Sequence, residues 1–174
     1  IHPFDSLRTH VLPDIIQRNA ATKTLRIWCA ASSSGQEPYT LAIILKQDFP
    51  QLADWNVEFL ATDISEEMLA RCREGLFTQM EVNRGLPAPL LVKHFEREGT
   101  GWRIKPALRD LVRFERLNLA KQWPRISTMD VVFIRNVLIY FNIETKQRIL
   151  EGVRQVLHPE GYMFLGGAET TLNL

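Results

Sequence analysis

Four separated clusters in this chain carry residues that could do chemistry together. The first is Ala30-Ala31-Ser32-Ser33-Ser34-Gly35-Gln36-Glu37, a row of tiny side chains ending in a carboxylate. Such a row lets backbone approach a bound molecule closely, and a helix starting just beyond it would aim free N–H groups at the same place. With Gly35 as its one glycine, the row matches neither the dinucleotide fingerprint nor the phosphate loop. It therefore suits a nucleotide-like ligand without a pyrophosphate. Glu37 would repel phosphate and attract an ammonium or a sulfonium, or it is a helix-start carboxylate favoured by the dipole. The second cluster is Asp63, placed after an apolar run to accept both hydroxyls of a ribose. A helix cap is its plainer role, and Ser65 competes for that. The third is Asn118, in Arg116-Leu117-Asn118-Leu119, which could read the amino edge of an adenine or simply form a turn. The fourth is Arg135-Asn136-Val137-Leu138-Ile139-Tyr140. A polar Arg-Asn pair after an apolar run needs a partner, either a ligand at a loop or a structural ion pair and cap. Tyr140 could set its hydroxyl on a substrate or pack with Phe141.

The elements that must position these clusters follow from periodicity. Residues 4–19 have helical apolar spacing, and Pro13 implies a kink or two shorter helices. Residues 25–30 form a first strand. Residues 37–47 form a helix opened by Pro38 and ended by Pro50. Residues 57–62 form a second strand, followed by a helix capped at Ser65 and stopped by Gly75. Residues 76–93, with Pro87 and Pro89, are mixed and hold short helices. Residues 94–97 and 102–105 flank Glu98-Gly99-Thr100-Gly101 as a β-hairpin. Residues 111–116 are a strand. Residues 130–134 are apolar enough for a buried parallel strand. Residues 143–157 are a helix, His158-Pro159-Glu160-Gly161 a turn, and 162–165 a last strand. Trp28, Phe133 and Phe164 read as core. This alternation predicts an α/β fold with a mainly parallel sheet and a small antiparallel insertion. Ligands bind such sheets outside the carboxyl ends of the strands, where all four clusters fall.

Composition narrows the classes. The 174 residues carry a net charge of +1, with 45% hydrophobic and 24% charged residues. Those values describe one globular domain with no strong pull toward nucleic acid or an anionic membrane. There is no run of about 18 apolar residues and no signal peptide, so a cytoplasmic protein without membrane insertion is expected. The two cysteines, Cys29 and Cys72, lack metal-ligand spacing and read as reduced thiols. The four histidines are scattered, and no metal is expected.

Together these residues resemble the chemotaxis receptor methyltransferases of the CheR type, which transfer methyl from S-adenosylmethionine to receptor glutamates. The resemblance rests on Trp28 through Tyr39, on Ala61-Thr62-Asp63-Ile64, on Asn118-Leu119 and on Arg135 through Phe141. It includes Leu157-His158-Pro159-Glu160-Gly161 and a closing Gly-x-x-Glu from Gly166 to Glu169, and runs from about Leu25 to the last residue. Ser34 and Gln36 depart mildly from the family's usual Thr and Glu.

The resemblance implies a Rossmann-like, S-adenosylmethionine-dependent methyltransferase sheet over residues 23–174, with a small β-subdomain at about 94–113. Residues 1–22 would be the last helix and linker of a helical domain. It implies that Ala31 lines the cofactor, Glu37 meets its methionine portion, Asp63 holds the ribose, and Asn118 and Leu119 sit at the adenine. Arg135 and Asn136 would border the cofactor and substrate pocket. Tyr140, with Arg135, would face the reacting centre. The products would be a glutamate methyl ester and S-adenosylhomocysteine, and the partners the cytoplasmic helices of methyl-accepting receptors. The short loop at Gly99-Thr100-Gly101 points to a member that does not dock a receptor's C-terminal pentapeptide. The alternative is a non-catalytic module that binds S-adenosylmethionine or S-adenosylhomocysteine and regulates a chemosensory system. A nicotinamide enzyme is disfavoured by the missing glycines and by Glu37. A nucleic-acid methyltransferase is disfavoured by the near-neutral charge.

Overall fold

The computed structural model describes residues 3–84 and 86–166. The chain opens with helix α1 (Pro3–Ser6), widens into a π turn (Leu7–Val11) and continues as α2 (Leu12–Arg18). Pro13 explains the widening. It has no N–H to give, its ring crowds the preceding turn, and a π turn just before it relieves both problems. Leu7, Val11, Leu12 and Ile15 of this segment are buried.

The elements that follow are β1 (Thr24–Cys29), α3 (Gln36–Asp48), β2 (Asn56–Asp63), α4 (Glu66–Glu74), β3 (Leu76–Thr78), α5 (Gln79–Asn83) and α6 (Ala88–His94). Next come β4 (Phe95–Glu98), β5 (Gly101–Ile104), α7 (Pro106–Arg109), β6 (Val112–Arg116), β7 (Met129–Ile134), α8 (Ile143–Val156) and β8 (Leu157–Leu165). Five strands form one sheet in the order β6-β2-β1-β7-β8, and every pairing in it is parallel. β7 is buried at each of its residues, as expected of a strand covered on both faces. The chain builds outward from β1 to β6 on one side, then returns to lay β7 on the other. The carboxyl ends of β1 and β7 therefore diverge into a crevice, where sheets of this kind bind ligands.

Apolar packing is dense around this line. Phe133 stacks on Phe164 with centroids 4.6 Å apart, and the Phe4 ring lies tilted at 6.4 Å from Phe133. Trp28 is fully buried and meets Trp123 edge-on at 5.2 Å.

The structure differs from the sequence expectation in two places. Residues 76–93 hold the two short helices α5 and α6, but they open on a strand that the sequence did not indicate. β3 follows Gly75 directly, and β3, β5 and β4 form an antiparallel sheet in that order. Gly75 adopts φ +66°, so it ends α4 and turns the chain at once into a strand too short to show alternation in sequence. His158-Pro159-Glu160-Gly161 is not a turn between elements. It lies inside β8, whose Leu157 pairs with Met129 and whose Tyr162 pairs with Val131, so residues 158–161 bulge opposite Asp130. The Glu160 N–H closes the bulge by donating to His158 Nδ1 at 2.9 Å. The closing Gly-x-x-Glu motif reaches Glu169, which lies outside the described residues. Among the described residues no helix is long and apolar enough to cross a membrane.

Asp130 ties the N-terminal helix to this sheet. Its carboxylate accepts from Arg18 Nη2, from Asn19 Nδ2 at 3.3 Å and from the Arg26 N–H at 2.9 Å. Arg18 also donates to the Glu160 carbonyl in the bulge at 2.7 Å. Both partners are largely buried, with side chains 15% and 10% exposed, and removing one partner of a buried pair costs far more than the pair contributes. Arg18→Ala is expected to lower the unfolding free energy by about 3 kcal/mol in urea denaturation, with little change in slope. A loss below about 0.5 kcal/mol, the range of a neutral surface change, would contradict this account.

Candidate functional site

The crevice is built first by the loop after β1. The Ala30 N–H donates to the Phe133 carbonyl and the Ser32 N–H to the Thr62 carbonyl, both at 2.8 Å, so the loop is pinned to β7 and β2 at once. Behind it, the buried Trp28 indole donates to Thr62 Oγ1 at 3.0 Å, and that hydroxyl donates to the Ala30 carbonyl at 2.9 Å. The loop then bends sharply, with Ser33 at φ +50° and Gly35 at φ +96°. A Cβ on Gly35 would come within 3.2 Å of Cys72 Sγ, so both its conformation and its space favour glycine. The Cys72 thiol, on α4, holds the bend by donating to the Ser33 carbonyl at 3.1 Å. Left-handed backbone at a non-glycine residue stores strain and gathers at functional sites. Asn136, across the crevice, has φ +60°.

Asp63 ends β2 at the same rim. Its Oδ2 accepts from the Ser33 N–H and its Oδ1 from the Ser65 N–H, both at 2.9 Å. The helix cap itself falls to Ser65, whose hydroxyl accepts from the Met68 N–H at 3.1 Å. Each carboxylate oxygen has two acceptor directions, so Asp63 is fixed by the backbone and keeps one direction on each oxygen.

Glu37 and Arg135 meet from opposite sides of the crevice. Arg135 Nη1 donates to Glu37 Oε2 at 2.7 Å, with the side chains 19% and 22% exposed. The Cys29 thiol donates to Glu37 Oε1 at 3.2 Å. The Arg135 guanidinium lies 5.9 Å from the centre of the Phe4 ring, and its Nε–H is buried with no acceptor among the described residues.

Glu37, Asp63 and Arg135 line one cleft of about 510 Å³, together with Ala31, Asn136, Val137, Met68 and Tyr140. Tyr140 stands at the mouth, 78% exposed. The structure thus brings Ala31, Glu37, Asp63, Arg135, Asn136 and Tyr140 together. Asn118 and Leu119 are not among the lining residues. Asn118 Oδ1 accepts from the Ala120 N–H at 3.0 Å, the turn-forming role open to it from sequence, and Leu119 is buried in the second apolar cluster beside Trp28. Their loop nevertheless abuts the site, because the Leu117 N–H donates to the Asp63 carbonyl at 2.9 Å. Sequence reasoning missed Met68, Cys29 and Cys72. Met68 had one available signal, its place one turn beyond the Ser65 cap. The thiols had none, since buried cysteine passes for core.

Residues 1–173 match the family model of the CheR methyltransferase, SAM binding domain. The chain is 42% identical over 178 residues to chemotaxis protein methyltransferase 1 of Pseudomonas aeruginosa, covering 99% of this chain and 64% of that one. It is 38% identical over 173 residues to chemotaxis protein methyltransferase Cher2 of Pseudomonas putida, covering 97% and 62%. The chain therefore spans a little under two thirds of the length of these curated relatives. Among solved structures it resembles the glycopeptide N-methyltransferase MtfA complexed with S-adenosyl-L-homocysteine, with TM-score 0.51 and 15% identity over 88% of this chain and 47% of that one. PKMT2 from Rickettsia typhi gives TM-score 0.52 and 14% identity over 83% and 21%. At such identities the likeness speaks for the fold alone.

The two thiols carry a pH dependence. Burial pushes Cys72 up to about 11 from its ordinary 9.0. Burial, then the Glu37 carboxylate, raises Cys29 well above 9.0. Both stay protonated in the fold while the unfolded chain loses those protons first, so stability is complete below about pH 9 and declines above it. Urea midpoints are expected to fall between about pH 9 and pH 11, and Cys72→Ala is expected to flatten that fall. Equal slopes in the two proteins would remove Cys72 as a source.

Proposed function

The chain belongs to the CheR methyltransferase family, and on that premise we propose that it binds S-adenosylmethionine in the cleft between β1, β2 and β7 and directs methyl transfer to glutamate side chains of chemotaxis receptors. The observation that carries this reading is the meeting of Glu37, Asp63, Arg135 and Tyr140 at one cleft. The chemistry of the donor set fits the group. Asp63 keeps two open acceptor directions for two ribose hydroxyls. Glu37 offers a carboxylate to an ammonium, and the buried Arg135 Nε–H has no acceptor among the described residues. The small residues from Ala31 to Ser34 admit a close ligand, while nothing there suits a pyrophosphate. Asn136 would border the cofactor and substrate pocket. Asn118 and Leu119 would meet the adenine from the loop that follows β6.

When bound, S-adenosylmethionine supplies a methyl carbon bearing a good leaving group. The residues of the chain then have a limited task. A glutamate carboxylate is already ionised at neutral pH, since its ordinary pKa is about 4.3, so no general base is required. Positioning is the main contribution, and good alignment can remove roughly 7–11 kcal/mol of barrier. Tyr140, exposed at the mouth, can donate its hydroxyl to the incoming carboxylate. Arg135 attracts that carboxylate without clamping it, because Glu37 already takes up one of its terminal nitrogens. A full clamp would neutralise the nucleophile and oppose attack.

The substrate in this reading is a cytoplasmic helix of a methyl-accepting receptor, and the products are its glutamate methyl ester and S-adenosylhomocysteine. The β4–β5 turn, whose intervening residues are Gly99 and Thr100, is short for docking a receptor's C-terminal pentapeptide, which favours recognition independent of that tail.

Methyl-labelled cofactor with a receptor cytoplasmic fragment is expected to give protein-bound label released by mild base, and Tyr140→Phe to slow its formation about tenfold, the effect of one lost positioning hydrogen bond worth about 1.4 kcal/mol. Binding without transfer would instead favour the regulatory-module reading. Asp63→Ala is expected to weaken S-adenosylhomocysteine at least about tenfold by calorimetry, the effect of losing charge-assisted hydrogen bonds worth about 1.5 kcal/mol. Unchanged affinity would remove Asp63 from the site.

A further inference from the structure

We infer that Cys29 is a positioning residue: its thiol holds the Glu37 carboxylate so that the pair with Arg135 stays single-pronged and open to the amino-acid end of the cofactor. The inference rests on the reading of the cleft given above.

Arginine and carboxylate tend to close into a two-pronged fork. Here they do not. One contact joins them, Arg135 Nη1 to Glu37 Oε2 at 2.7 Å. The other carboxylate oxygen is turned to the opposite side, where the Cys29 thiol donates to it at 3.2 Å. A sulfur donor is long by nature, so this contact is a close one.

Cys29 is well placed for such a role. It is fully buried and ends β1, paired on one side with Ala61 and on the other with Phe133. Strands on both flanks fix its backbone, so the thiol cannot follow the carboxylate if it moves. It also stays a donor, because burial and the neighbouring Glu37 charge keep it protonated. Glu37, by contrast, has a flexible stem on the first turn of α3. With its Oε1 partner removed, the carboxylate is free to swing and meet both terminal nitrogens of Arg135. That closure would turn its ligand-facing edge away from the cleft.

The consequence is selective. Losing the thiol should weaken only ligands that carry the amino-acid end and leave the adenosine end untouched. A merely structural role for Cys29 would weaken both. Two probes separate these cases: S-adenosylhomocysteine, which has the amino-acid end, and 5′-methylthioadenosine, which lacks it.

Calorimetry on the full chain decides the matter. Cys29→Ala is expected to weaken S-adenosylhomocysteine about five- to tenfold, the scale of one hydrogen bond, and to leave methylthioadenosine within about twofold. Retained methylthioadenosine binding also shows that the variant is folded. Cys29→Ser, which keeps a donor, should recover most of the affinity. In a Glu37→Ala background, Cys29→Ala should add no further loss. Equal weakening of both probes, no weakening of either, or an additive loss without Glu37 would overturn the role of Cys29. A wild-type chain that binds neither probe would overturn the reading of the cleft itself.

Discussion

The ion pair between Arg135 and Glu37 joins residues 98 positions apart across the point where the sheet changes direction. Everything at the cleft is arranged around it. Glu37 is there because a run of small residues carries the chain from β1 into α3 without filling the crevice. Arg135 is there because β7, buried along its whole length, ends in an apolar run and delivers a charged residue just past its last position, at the carboxyl rim. Neither charge would be tolerated so deep without the other. A pair of this kind adds little net stability, because desolvation offsets attraction. Its value lies in placing two opposite charges, each with unused hydrogen-bonding capacity, beside one cavity.

Asp63 solves the same problem differently. Its charge has no cationic partner in the hydrogen bonds that fix it. Two backbone N–H groups, from Ser33 and Ser65, orient it instead. That choice explains the strained bend at Ser33, since the amide must turn outward to reach the carboxylate. Rigid backbone donors leave Asp63 preorganised, so a ligand meeting it need not order a mobile side chain. The network of Trp28, Thr62 and Ala30 beneath the bend supplies the stiffness.

Much of this was legible in sequence for a physical reason. A parallel strand covered on both faces reads as an apolar run, and the first polar residue after it marks the rim. Arg135 announces itself that way, Asp63 and Glu37 follow the apolar runs of β2 and β1 within a few residues, and the alternation of elements then predicts that they converge. What stayed hidden depends on contacts that sequence does not print. The strand β3 spans three residues and exists because β5 pairs with it. The bulge at residues 158–161 uses turn-forming residues inside a strand, with Gly161 required because a Cβ there would come within 2.9 Å of the Asp130 carbonyl. Cys29 looks like any strand-end core residue until Glu37 folds against it. Asn118 shows the opposite case, a residue whose two roles were equally readable and whose side chain here serves its own turn.

The account depends on Asp63 and the Glu37–Arg135 pair gripping two ends of one ligand. A crystal structure of the chain with S-adenosylhomocysteine tests this most directly. The account predicts both ribose hydroxyls within hydrogen-bond reach of Asp63, which keeps its bonds from Ser33 and Ser65, and the ligand's ammonium against Glu37. A ligand seated elsewhere, or one reaching Asp63 only after those backbone bonds break, would contradict it.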